Sequence, residues 1–188
     1  FFLRKMYVLL LGQILMQLGE AGIWYWNGSP EKAWLLKFCC FLSFGCGLVA
    51  TALFVSCFME LLARRGKVSK KPLYILNTIC GMGFAISALS MFNGSFFAVD
   101  AKGYFCYGPY AAWVEYIDVA NFVLILGIAV YHRQRMSTKS FLMFFAYGML
   151  HLGGMLMVDI WYPTPFYLAS TLALIVLYNF LYEAMEEA

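Results

Sequence analysis

The sequence predicts an all-α integral membrane protein. The expected fold is a six-helix transmembrane bundle, part of a seven-helix one, with a short extracellular β-hairpin between the third and fourth spans. Three observations predict it. Of the 188 residues, 63% are hydrophobic and 12% charged, and the mean hydropathy is +0.76. The apolar residues gather into stretches at Met6–Trp26, Trp34–Leu62, Leu73–Phe92, Trp113–Tyr131, Phe141–Ile160 and Phe166–Tyr182. A helix crossing a ~30 Å hydrocarbon core needs about 20 mostly apolar residues, and backbone amides without water must pair within the helix. Finally, the charges fall between these stretches.

The charges also predict an orientation. Arg4 and Lys5 precede the first stretch, Arg64, Arg65, Lys67, Lys70 and Lys71 fill the second connection, and Arg133, Arg135 and Lys139 fill the fourth. Only Lys32, Lys37 and Lys102 lie toward the other side. A ten-to-three division of the 13 basic residues places the richer side in the cytoplasm, with both chain ends. Trp24, Trp26, Trp34, Trp113 and Trp161 then mark the outer boundary as an aromatic belt. The net charge of +3, sorted by membrane side, excludes nucleic acid as a partner and leaves the lipid bilayer. No signal peptide is expected. A first residue of Phe and three glutamates at the far end suggest a fragment of a longer protein, forming a single domain over residues 1–188.

Gln13, Gln17 and Glu20 in the first stretch share one helical face, which should look inward. Gly45 and Gly47, then Gly81, Gly83 and Ser87, permit close helix packing, Gly83 and Ser87 as a small-xxx-small pair. The connection 93–112 holds two β-forming runs, Phe96–Val99 and Tyr104–Tyr107, around a turn opened by Asp100 and closed by Gly103. That pattern predicts a hairpin, lying as a lid over the bundle. In the fourth stretch Glu115 and Asp118 lie near the outer end. In the fifth, His151 falls near mid-membrane and Asp159 at the outer boundary. Thr164 and Pro165 can open a sixth helix that runs without Gly or Pro to Ala188.

Several chemistries are excluded. Retinal needs a lysine inside a span, bis-histidine haem needs two histidines at one depth, and His132 and His151 differ in depth. No zinc-binding H-E-x-x-H pattern occurs, and no serine lies in a nucleophile turn. The six cysteines show no metal spacing, though a bridge from Cys106 to Cys39 is geometrically conceivable. No catalytic residue, cofactor or metal is expected. The remaining ionisable and aromatic residues suggest a pocket for a small extracellular ligand made by Glu20, Trp24, Tyr104, Asp118, Asp159 and Trp161, with Gln13, Gln17 and His151 as buried polar groups.

Phe96–Pro109, with its apolar run, acid, turn glycine, tyrosine and closing Gly108-Pro109, resembles a hairpin of bacterial seven-span sensors. Arg4-Lys5-Met6-Tyr7, Asn27-Gly28-Ser29-Pro30, Tyr131–Ser137 and Ser170–Tyr182 follow in the same order. The whole chain resembles the N-terminal membrane region of clostridial-type diguanylate cyclases, the GGDEF proteins, and of some histidine kinases. The resemblance implies the last six of seven spans, a bacterial cell membrane, a homodimer formed through the parent protein, and a cytoplasmic output domain beyond Ala188. The expected function is therefore a sensor that detects an outside ligand and relays the signal through its last helix. A transporter, a transporter subunit and a purely structural anchor are the alternatives.

Overall fold

The computed structural model describes residues 2–64, 66–161, 171–173, 175–176 and 178–179, with side chains at all of these except 2, 3, 61, 64, 114, 115, 118, 135, 140 and 154–161. The helices are α1 (Phe2–Trp26), α2 (Ala33–Arg64), α3 (Lys71–Asn93), α4 (Ala111–Tyr131) and α5 (Thr138–Trp161), with short 3-10 turns at Pro30–Lys32 and Arg133–Arg135. Each outruns its apolar stretch by a few residues, because a nucleated helix propagates through polar residues that lie outside hydrocarbon. The expected sixth span, Phe166–Tyr182, with Thr164, Pro165 and the run to Ala188, lies almost wholly outside the described residues.

The six-span bundle is corrected. Among the described residues three helices are long and apolar enough to cross a membrane, at Arg4–Trp26, Pro30–Glu60 and Lys71–Asn93. Within α4 and α5 the stretches of fully described apolar helix are Val119–Tyr131 and Phe141–Gly153, each shorter than the ~20 residues a bilayer requires. What stands is a helical protein with several long apolar helices, consistent with a multi-pass membrane protein.

The chain folds into two compact units. One comprises 1–10, 53–73 and 118–188, and its described core is aromatic. Phe54 of α2 stacks on Tyr147 of α5 with ring centroids 3.9 Å apart, and Phe58 lies 4.2 Å from Phe144. Phe122 of α4 stacks on His151 at 5.1 Å. Near the start of α1, Lys5 Nζ donates to Glu60 Oε2 at 2.9 Å and to Ser56 Oγ at 3.2 Å. At about a quarter exposure on each side, that pair contributes at most about 1 kcal/mol.

The other unit, 11–52 and 74–117, holds a two-stranded antiparallel hairpin of β1 (Phe97–Val99) and β2 (Phe105–Tyr107), in which Ala98 faces Cys106. Its turn is built as the residue types require. Asp100 Oδ1 accepts from the amides of Lys102 and Tyr104 at 2.9 and 2.8 Å, and Gly103 closes it at φ +83°, a region L side chains rarely adopt. A Cβ at Gly103 would also strike Pro30 N at 2.5 Å. The hairpin packs onto the helix ends. Phe96 and Phe97 are fully buried with Leu36, Cys40 and Ala111, and Phe44, Trp26 and Phe105 close around them. Each buried Phe contributes about 1.5–3 kcal/mol, so this loop is a fixed part of the core.

Ser90, one turn before the end of α3, provides the polar half of that attachment. Its Oγ accepts from the amides of Phe96 and Phe97 and donates to the carbonyl of Phe97, each at 2.9 Å. Ser90→Ala strands two buried amides, and stranded donors cost about 1–3 kcal/mol each. The substitution is therefore expected to lower unfolding free energy by about 2–4 kcal/mol, measured by denaturant titration of the purified protein in detergent. A loss within measurement error would show that the hairpin is not held this way.

Candidate functional site

Polar residues inside an apolar helix need partners, and in α1 they line one face. Gln13 is buried, while Gln17 and Glu20 are half-buried. The partner for Glu20 follows from a close helix approach. A Cβ at Gly19 would meet Ser43 N at 2.6 Å and Cys39 O at 2.7 Å, so the backbones of α1 and α2 are in contact there. That approach brings Ser43 Oγ within 3.2 Å of Glu20 Oε1, to which it donates. One turn earlier, the amide nitrogen Nε2 of Gln17 is buried with no hydrogen-bond partner among the described residues. Along one helical face the seam thus offers a carboxyl group, a hydroxyl that can donate or accept, and an amide donor.

The other residues named from sequence are distributed as follows. Trp24, one turn beyond Glu20, is half-exposed. Tyr104 sits in the hairpin turn, half-exposed, with its ring against Gly28. The side chains of Asp118, Asp159, Trp161 and Glu115 lie outside the described residues. His151 is buried, and its Nδ1 lies 3.1 Å from the carbonyl of Tyr147. A carbonyl only accepts, so Nδ1 carries the hydrogen, and Nε2 is buried without a partner among the described residues. Cys39 and Cys106 are both free thiols, the first buried and the second exposed. Among the described residues no group of His, Cys, Asp and Glu could hold a metal ion.

Sequence reasoning missed Ser43. A lone serine in an apolar helix carries no periodic signal. It also missed Asn27, whose Oδ1 accepts from Phe105 N at 2.8 Å.

No family model, no curated protein and no solved structure matches the chain. The assignment to GGDEF diguanylate cyclases and histidine kinases is therefore not retained. The relay from an outside ligand through a closing helix to an output domain goes with it. That mechanism required a six-span bundle, and three candidate spans are found among the described residues. The transporter and anchor alternatives, framed on the same bundle, lose that basis too.

If the seam is formed as described, Glu20 and Ser43 are energetically coupled. A double-mutant cycle with Glu20→Leu and Ser43→Ala is expected to give a coupling of about 1 kcal/mol in detergent unfolding. Strict additivity would contradict the contact.

Proposed function

We propose that the protein is a multi-pass protein of the plasma membrane, its N-terminal side in the cytoplasm and its hairpin outside, which binds a small polar molecule at the α1–α2 seam. The orientation is supported by the basic residues in the first turns of α1 and around the connection of α2 to α3, against few near the hairpin end. The binding reading is carried by one observation: the Gln17 amide donor is buried and unused one turn from the Glu20–Ser43 hydrogen bond. A ligand bearing an acceptor would take up the Gln17 donor, and Trp24 on the same helical face adds an apolar wall. The hairpin, being fixed, shapes the surroundings of this seam and does not gate it.

Two measurements test the proposal. Cys106 is the exposed thiol among the described cysteines. A membrane-impermeant maleimide is expected to label intact cells, and Cys106→Ser to abolish the label. Labelling only after permeabilisation would reverse the orientation. For binding, purified protein is heated with a panel of amino acids, small amines and polyols. At least one is expected to raise the unfolding temperature of the wild type in a saturable way, by up to about 3 kcal/mol equivalent at a hundredfold excess over Kd, and Glu20→Ala should lose the shift. No shift across the panel, or one that survives Glu20→Ala, would sink the binding reading.

A further inference from the structure

The packed side of α3 is Leu76, Cys80, Gly83, Ser87 and Ser90. Outside that side, Asn77, Gly81 and Ala85 recur at four-residue spacing, all exposed, with a Cβ at Gly81 meeting nothing within 4 Å. Exposed Tyr74 and Phe92 stand at the two ends of this stripe. Small residues alone say little, but Asn77 does not suit a lipid-facing position. With the candidate span Lys71–Asn93 centred on the bilayer, its carboxamide lies only about 7–8 Å from the midplane. There water cannot satisfy it. No hydrogen-bond partner for it exists among the described residues, whereas the neighbouring Thr78 donates to Tyr74 O at 2.9 Å.

We propose that a second copy of this chain docks here, α3 against α3 in parallel. A carboxamide holds both donor and acceptor, so two asparagines across a two-fold axis can satisfy each other. Copies inserted under the same charge bias share one orientation, which puts both Asn77 side chains at the same depth. Another partner would have to bring a polar group to that depth independently. Gly81 and Ala85 allow the two backbones to approach closely, as close helix pairs in membranes require. This pairing is independent of ligand binding at the α1–α2 seam.

The test uses the full chain in lipid vesicles and in detergent. In vesicles of a Cys106→Ser background, oxidative cross-linking is expected to give dimer from Ala85→Cys and much less from Ile86→Cys, which lies about a quarter-turn away. In detergent, sedimentation equilibrium is expected to show a monomer–dimer equilibrium. Asn77→Leu should weaken it roughly tenfold, in line with polar contacts between membrane helices, while Asn77→Gln should retain it. The proposal is overturned if the wild type stays monomeric at every protein-to-detergent ratio. It is equally overturned if Asn77→Leu associates like the wild type, or if both cysteine variants cross-link alike.

Discussion

The backbone of the loop between α3 and α4 has to find hydrogen bonds at the end of an apolar helical unit, and two helix-end side chains supply them. Ser90 closes three bonds with Phe96 and Phe97, and Asn27 receives the amide of Phe105. The turn after α1 adds a backbone bond, Gly28 N to Gly103 O at 2.8 Å. With these bonds made, Phe96 and Phe97 can be buried at no unsatisfied polar cost. The hairpin therefore ties the turn after α1 and the end of α3 into one core with the start of α2. A loop without Ser90 would have to choose between solvating its amides and burying its phenylalanines.

The polar seam between α1 and α2 depends on a different constraint, the absence of a side chain at Gly19. Any larger residue there would push α2 outward and part Ser43 from Glu20. In the other unit the polar contact between α1 and α2 is that of Lys5 with Glu60 and Ser56. The contacts of Phe54, Phe58, Phe122, Phe144 and Tyr147 are aromatic, and the one bond that orients His151 is to its own helix.

Much of this was legible in the chain, for physical reasons. Helix positions follow from continuous apolar runs, and the described ends differ only by the polar residues through which a helix carries on. The hairpin was readable because Asp100 and Gly103 are the residue types that a tight turn demands. The number of membrane crossings was misjudged. Six crossings were expected, and among the described residues three helices are long and apolar enough to make one. Ser43 and Ser90 were invisible because single serines mark no period, and their roles arise only when two helices or a loop and a helix meet. The family resemblance rested on short apolar motifs that many membrane sequences satisfy, and nothing in the comparisons supports it.

The central claim is that the hairpin is rigidly joined to the helical core. Amide hydrogen exchange of the membrane-embedded protein tests it most directly at Phe96, Phe97 and Phe105. The account predicts that these three amides exchange as slowly as those in the middle of α2 and α3. Exchange at the rate of an open surface loop would contradict it.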